Sequence, residues 1–200
     1  GVGVTLESNK DYWGGEPYFE TINYKLIPDN NTALTALLNG EIDLDQVTTA
    51  LDVDYVNNTD GMTVHSFQRT AAYFIAFNQA EAPLNNEYFR KAIAYAIDKE
   101  AISEGLTYGY EPVADTIVPD GTPYSDICGT IDYTYNVDRA NQLLDEAGWA
   151  MNESTGIRDK DGTPLHVVFT CPTDDSTIGS IATLIQSQLA EIGIDVKIKN

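Results

Sequence analysis

Two carboxylates in the segment GEIDLDQ have a spacing that would suit catalysis. Asp43 and Asp45 stand at positions i and i+2, which on a strand places both side chains on one face, as a general acid and base would require. In a chain with 31 acidic residues, such a pair also arises by chance and then forms an ordinary solvated face. We therefore assign no catalytic residue, and keep Asp43 and Asp45 only for the hydrolase alternative given below.

The histidines and cysteines form no recognisable nucleophile or metal motif. His166 has no Ser or Cys beside it, His65 is followed by Ser66 but belongs to no known nucleophile motif, and Cys128 and Cys171 lie far apart without a C-x-x-C spacing. We expect no metal site and no cofactor. The two cysteines either pair as a disulfide in an oxidising compartment or remain two buried thiols, and the sequence leaves both outcomes open.

The tetrapeptide DKDG at Asp159–Gly162 resembles the start of a calcium loop. Such a loop needs a bidentate Glu at its twelfth position, and that position is Thr170. An Asp-Gly pair between two alternating segments indicates a tight hairpin turn instead. The chain also lacks the G-x-S-x-G, G-x-G-x-x-G and P-loop motifs of common nucleophile and nucleotide sites.

The composition argues against nucleic acid as a partner. The 31 acidic and 11 basic residues give a formal charge of -20, which repels phosphate backbones and anionic membrane surfaces. No apolar run is long enough to span a membrane, and the first residues lack the basic and apolar regions of a signal peptide. With 42% apolar residues, the 200 positions suit one large domain or two modest ones.

The elements that position these residues alternate between strands and helices, which predicts an α/β fold. The first half reads as strand, helix, strand, helix and strand. Its strands are predicted over 19–27, 41–47 and 62–69, and its helices over 30–40, with an Asn cap and a Gly stop, and over 49–58.

The middle of the chain contains a compact strand-loop-helix unit. Tyr73–Phe77 is almost continuously apolar and aromatic, which predicts a central strand covered on both faces. After Asn78 and a proline loop, Asn85 or Asn86 caps a helix whose apolar residues recur at helical spacing. Beyond it we expect a helix over 136–149, a hairpin at Asp161-Gly162, and a long helix that ends near Gly193 and leads into a strand.

Several segments together resemble the family 5 extracellular solute-binding proteins, the oligopeptide, dipeptide and nickel receptors of bacterial ABC importers. The similarity is collinear over nearly all 200 residues. Its motifs are N-x-x-Y-W-x-x-x-P, G-E-I-D, F-N followed by R-x-A-I-x-x-A-I-D, and L-L-x-E-A-G-W, and they are specific in combination. The resemblance implies part of a two-lobed, class II periplasmic-binding-protein fold with mixed sheets and flanking helices.

The resemblance also implies where ligand would bind. Residues 1–70 would form part of lobe one and residues 71–200 a large part of lobe two, with a hinge crossing near 69–78 beside the interlobe cleft. Within this crossing we expect four ligand-contact residues, with Tyr73 first among them: Thr70, Tyr73, Phe74 and Asn78. For Tyr73 and Phe74 a purely structural role in the core is an equal alternative, and Asn78 also suits a cap at the strand end.

The implied function is binding without turnover. A peptide or other small solute would favour the closed form, and permease subunits of an importer in the membrane would receive it. The parent protein would be exported or lipid-anchored, on the periplasmic or extracellular side, and this chain would be an internal fragment of it. The alternative from another class is an α/β hydrolase that uses Asp43, Asp45 or a constellation centred on His65.

Overall fold

The computed structural model describes residues 3–47, 49–67, 70–119, 121–127, 133–172 and 176–199. The backbone divides into two compact units, Gly1–Val64 and His65–Asn200, and each is described by itself. Because Cys128 lies outside the described residues, the choice between a disulfide and two thiols stays open, while Cys171 is buried. None of the helices in the described ranges is long and apolar enough to cross a membrane.

The first unit begins with an antiparallel two-stranded ribbon. Strand β1 (Gly3–Glu7) pairs with β2 (Thr21–Lys25), in a register that places Leu6 opposite Ile22. Both strands carry apolar residues at alternate positions, as a ribbon with one apolar face requires. The strand predicted over 19–27 is confirmed.

Two short helices follow the ribbon in the described part of the first unit. Helix α1 (Asn30–Leu38) and helix α2 (Ala50–Asn57) are both predicted by the sequence. The cap of α1 differs from the expected Asn: the Asp29 carboxylate accepts a 2.8 Å hydrogen bond from the backbone N–H of Thr32. This bond satisfies one of the amide groups that the first helical turn leaves without a partner.

The prediction of strands over 41–47 and 62–69 is wrong for the described residues of both segments. After α1, the backbone N–H groups of Glu41 and Ile42 both donate to the carbonyl oxygen of Ala36, at 2.8 and 3.4 Å. These donors close the end of the helix, so they are not available for a strand ladder. Residues 62–67 likewise contain no strand, and 68 and 69 lie outside the described residues.

The described residues of the second unit form four helices and two small sheets. Its helices are α3 (Glu87–Ala96), α4 (Lys99–Thr107), α5 (Val137–Glu146) and α6 (Ser176–Glu191), with a 3-10 turn at Ser125–Ile127. Its strands are β3 (Ala150–Met151), β4 (Arg158–Lys160), β5 (Thr163–Pro164), β6 (His166–Thr170) and β7 (Asp195–Lys199). Helices and mixed sheets together confirm the predicted α/β class.

The two sheets of this unit follow the predicted local signals. Strands β3, β4 and β5 form an antiparallel sheet, and the β4–β5 turn places Asp161 at φ 52° and Gly162 at φ 77°. Both residues thus adopt the left-handed conformation that an Asp-Gly hairpin favours. Strands β6 and β7 pair in parallel, and α6 forms the crossover between them. The hairpin and the crossover are both confirmed.

The core of the second unit lies between α3, α5, α6 and β7. Its fully buried large side chains are Phe89, Leu143, Leu144, Leu165, Ile192 and Ile194. Asn86 caps α3 through a 3.2 Å bond from the Phe89 N–H, one of the two caps expected. Helix α4 is not predicted separately, because Asp98 starts a new helix, accepting from the Ala101 N–H at 2.9 Å, inside what reads as one apolar pattern.

The prediction of a buried central strand at Tyr73–Phe77 is wrong. The segment contains no strand, and among its side chains only Ile75 and Phe77 pack against the core, each partly buried. An apolar run indicates a demand for burial, but a strand also needs a neighbour with which to exchange backbone hydrogen bonds. No such neighbour occurs for this segment among the described residues.

Candidate functional site

The four side chains expected to contact ligand lie on one solvent-accessible segment, residues 70–78, which we call the linker segment. Tyr73 is 58% exposed and Phe74 is 71% exposed, and Thr70 and Asn78 are exposed as well. From Ile75 to Asn78 the burial alternates residue by residue, as in an extended chain that packs on one side. Two exposed aromatic side chains at adjacent positions form a small apolar surface, and apolar surfaces mark binding sites where they are contiguous.

The main chain of the linker segment has unused hydrogen-bonding capacity. Within the described part of the chain, the backbone N–H and C=O groups of residues 74–77 make no hydrogen bond. Such groups are ordinarily paired with protein or with solvent, and an exposed row of them can accept an added strand. The linker segment therefore offers main-chain donors and acceptors beside two exposed aromatic rings.

Asn78 ends the linker segment in a turn. Its side-chain oxygen accepts from the backbone N–H of Ala80 at 3.2 Å, and its carbonyl oxygen accepts from the N–H of Glu81 at 3.4 Å. This local pairing is the behaviour expected of a capping Asn. It leaves the side-chain N–H₂ group of Asn78 as the part that can face a ligand.

A cavity of about 300 Å³ adjoins the last apolar residue of the linker segment. Its lining residues are Phe77, Glu87, Arg90, Lys91, Ala94 and Tyr133. On its rim, Lys91 Nζ lies 2.5 Å from Glu87 Oε1. The hydrogen bond and charge of Lys91 lower the pKa of Glu87, and the hydrogen bond and charge of Glu87 raise the pKa of Lys91.

Sequence reasoning did not identify Arg90 and Tyr133 as site residues. They are far apart in sequence and meet at this cavity through the fold of the second unit. The available signal for one of them was the adjacent pair Arg90-Lys91, since basic residues are scarce in this acidic chain. Tyr133 carried no such signal, because it is one of 12 tyrosines and lies outside the predicted helices and strands.

The residues of the hydrolase alternative lack side-chain partners in the described part of the chain. Asp43 and His65 are exposed, Asp45 is partly exposed, and none of the three makes a side-chain hydrogen bond or ion pair within the described ranges. His166 Nδ1 lies 2.6 Å from Asp195 Oδ2, with both side chains more than half exposed. No group of three potential metal ligands occurs among the residues that the structure describes.

Comparison with known proteins relates the chain to one family model and to similar proteins of known name. Residues 1–200 match the family model described as bacterial extracellular solute-binding proteins, family 5 Middle. The chain is 31% identical to the nickel-binding periplasmic protein of Escherichia coli (strain K12), covering 95% of this chain and 37% of that protein. It is also 31% identical to the oligopeptide-binding protein AppA of Bacillus subtilis (strain 168), covering 97% of this chain and 36% of that protein.

Solved structures of similar proteins share the fold of this chain. NikA from Brucella suis in complex with Fe(III)-EDTA is similar with a TM-score of 0.92 and 33% identity, over 99% of this chain and 40% of that one. AppA from Bacillus subtilis in complex with a nonapeptide is similar with a TM-score of 0.75 and 30% identity, over 100% and 40% of the two chains. The chain thus spans about two fifths or less of the length of these relatives.

Proposed function

The chain belongs to the bacterial extracellular solute-binding proteins of family 5, and on that premise we propose that it captures peptides for an ABC importer. Its relatives are substrate-binding receptors and not enzymes, so the hydrolase alternative is set aside. The chemistry required of the chain is then reversible recognition of a solute. The proposed site consists of Thr70, Tyr73, Phe74 and Asn78 in the linker segment.

The observation that carries the choice of peptides is the main chain of residues 74–77, which makes no hydrogen bond with the residues that the structure describes. A peptide that lies along these residues would exchange backbone N–H···O=C bonds with them, as an added strand does. Backbone pairing is independent of side-chain identity, so one site of this kind accepts many sequences. The exposed rings of Tyr73 and Phe74 would cover the apolar parts of the bound peptide.

The lobes and the location of the protein are part of the same proposal. Residues 1–70 contribute to lobe one and 71–200 to lobe two, with the hinge at 69–78, so that a solute bound beside the hinge favours the closed form. Permease subunits of the importer recognise that closed form. The protein acts on the periplasmic or extracellular side of the membrane, as an exported or lipid-anchored protein.

A second candidate solute is a metal chelate. The observation in its favour is the likeness to NikA from Brucella suis, which was solved with Fe(III)-EDTA and has a higher TM-score than AppA with its nonapeptide, 0.92 against 0.75. A chelate site would depend on cationic and polar side chains around a compact anion, and would not use a row of backbone groups. Chemical changes in the main chain of a peptide should therefore weaken binding at a peptide site, whereas a chelate site does not depend on a peptide main chain.

The test compares ligands by thermal unfolding and isothermal titration calorimetry of the purified chain. We expect peptides of three to nine residues to raise the melting temperature by mass action, and backbone N-methylation of the same peptides to weaken binding. The chelates Fe(III)-EDTA and Ni(II)-histidine serve as the second arm. Binding of the chelates without the peptides would replace the peptide proposal, and binding of neither would contradict solute capture by this chain.

A matched pair of variants tests the site. Phe74 and Phe19 are each 71% exposed, but only Phe74 lies in the linker segment. Phe74→Ala should weaken peptide binding several-fold, whereas Phe19→Ala should leave the dissociation constant unchanged. Equal effects of the two substitutions would show that the linker segment does not contact the peptide.

A further inference from the structure

The cavity beside Phe77 carries a second binding feature, distinct from the backbone groups of the linker segment. It is lined on one side by residues 87, 90, 91 and 94, which follow one another at helical spacing along one face of α3. Tyr133 and Phe77 line it from other parts of the second unit. Its volume of about 300 Å³ is at the lower end of the range for small-ligand pockets.

Arg90 is the lining residue with unused binding capacity. Its Nη1 atom donates a 2.9 Å hydrogen bond to the carbonyl oxygen of Leu84, which fixes the position of the partly buried guanidinium. Its other N–H donors have no partner among the described residues. Arg139 and Arg158 each lie within 4 Å of a carboxylate, at 3.6 and 2.6 Å, whereas Arg90 has none within the described ranges. A guanidinium with five donors and one bond can still form a bidentate pair with an anion.

The other polar groups of the cavity are arranged to support an anion. The lining carries two cations, Arg90 and Lys91, and one carboxylate, Glu87, whose pKa is lowered mainly by Lys91 and also by the charge of Arg90, so the cavity keeps one positive charge in excess in a chain whose formal charge is -20. The ring of Tyr133 packs edge-on against Tyr95, with centroids 5.2 Å apart and an interplanar angle of 81°. This contact holds the tyrosine ring at the cavity lining, and the phenol carries an O–H group of the kind that donates to an anion.

We propose that this cavity binds a carboxylate group of the captured solute, with Arg90 as its charged donor and Tyr133 as its neutral donor. The proposal rests on the proposed function, because it places one end of the bound solute beside Phe77, near the end of the linker segment. A carboxylate of this kind occurs at the C-terminus of a peptide and on an aminopolycarboxylate metal chelate. The planar guanidinium fork matches the two oxygens of a free carboxylate, and it can also donate to the uncoordinated oxygen of a metal-bound one.

The first test uses acetate, so that it does not depend on which solute is captured. In ¹H–¹⁵N NMR spectra of arginine side chains, sodium acetate should shift the Nε–H resonance of Arg90 in a saturable way, and sodium chloride at equal ionic strength should not. The Arg139 resonance is the internal control, because that side chain already pairs with Glu146. Equal responses to acetate and chloride, or equal shifts of Arg90 and Arg139, would overturn the proposal.

The second test identifies the source of the carboxylate. Calorimetry compares trialanine with trialanine amide, which lacks the terminal charge, and with Fe(III)-EDTA. We expect the amide to bind about tenfold or more weakly than the free acid if a peptide is captured, since a charge-assisted pair is lost. Arg90→Ala should remove that preference, and Tyr133→Phe should reduce it while keeping the ring contact with Tyr95. If Fe(III)-EDTA binds and trialanine does not, the same two substitutions should weaken binding of the chelate.

Two further variants separate binding from folding and from charge. Arg90→Lys retains a cation and an apolar stem, so it should fold even if Arg90→Ala does not, and should still lose the bidentate contact. Lys197→Ala removes one positive charge from β7, away from the cavity lining, and should leave the preference unchanged. Peptide binding that is insensitive to the terminal carboxylate would overturn this inference alone, whereas absence of all solute binding, with acetate still shifting Arg90, would overturn only the proposed function.

Discussion

The Nη1 atom of Arg158 donates a 2.6 Å hydrogen bond to Oδ1 of Asp145, although the two side chains differ greatly in burial. The arginine side chain is 4% exposed and the aspartate side chain is 65% exposed. The same guanidinium donates to the carbonyl oxygens of Trp149 and Ile192 and to the side chain of Asn141. Arg158 thus joins the end of α5 to the turn between α6 and β7.

Replacing this arginine should destabilise the second unit strongly. Arg158→Ala removes the donor from the buried carbonyl oxygen of Ile192 and from the partly buried one of Trp149 and opens a cavity, so we expect a loss of about 3 kcal/mol in the free energy of unfolding. Urea unfolding followed by circular dichroism measures this loss. The control is Arg139→Ala, because Arg139 pairs with Glu146 at 3.6 Å with both side chains 40% exposed, and such pairs contribute less than about 1 kcal/mol. Equal losses in the two variants would contradict the role of Arg158.

Two glycines with the same backbone conformation should differ in their tolerance of alanine. Gly193 has φ 80° and Gly162 has φ 77°, so a Cβ atom is strained at both positions. At Gly193 the added carbon would also lie 2.8 Å from Cγ of Arg158 and 2.9 Å from Cε of Met151, whereas nothing lies within 4 Å at Gly162. We expect Gly162→Ala to cost about 1 kcal/mol and Gly193→Ala clearly more, measured by thermal unfolding. A smaller cost at Gly193 would be inconsistent with this packing.

The same substitution at two phenylalanines separates the core from the proposed site. Phe89 is fully buried, so Phe89→Ala should lower the free energy of unfolding by about 3–5 kcal/mol. Phe74 is 71% exposed, so Phe74→Ala should change it by less than about 0.5 kcal/mol. A large loss of stability in the Phe74 variant would restore the prediction of a buried strand, which the structure contradicts.

The Asp29 cap should make the stability of helix α1 depend on pH. Hydrogen bonds from the Thr32 hydroxyl and backbone N–H lower the pKa of Asp29, so the folded state favours the ionised carboxylate. This contribution is complete above the pKa of the unfolded chain, about 3.9, and is lost as the pH falls through the lower folded value. We expect Asp29→Ala to reduce stability near neutral pH, and the difference from the natural chain to shrink below about pH 4.

The control for this pH dependence is Asp29→Asn, which keeps a capping oxygen without a titrating charge. Its stability should fall less steeply with acid than that of the natural chain. Urea unfolding at several pH values follows all three proteins. If the difference in stability between the natural chain and Asp29→Ala stays constant as the pH falls, the carboxylate charge does not contribute.

The sequence predicts those elements whose signals are local. Capping residues, apolar spacing and terminating glycines indicate α1, α3, α5 and α6, because a helix makes its backbone hydrogen bonds within one segment. The Asp-Gly hairpin and the crossover from β6 to β7 follow from turn chemistry and the order of elements. The motifs in combination also indicate the family, which the comparisons show.

The sequence fails where an element needs a partner from elsewhere in the chain. Segments 41–47, 62–67 and 73–77 have strand-like composition, but a strand forms only if a neighbour supplies backbone hydrogen bonds, and composition does not contain that information.

By itself, the sequence determined helices α1, α2, α3, α5 and α6 and the Asp-Gly hairpin, which depend on local signals, and the acidic charge and the family, which depend on composition and on motifs in order along the chain. Tertiary structure alone decided that Tyr73 and Phe74 remain exposed, that Arg158 is buried, and that Arg90 and Tyr133 share a cavity. The physical reason is that burial and side-chain contact depend on which distant segments pack together, and the free energy of that packing belongs to the whole fold.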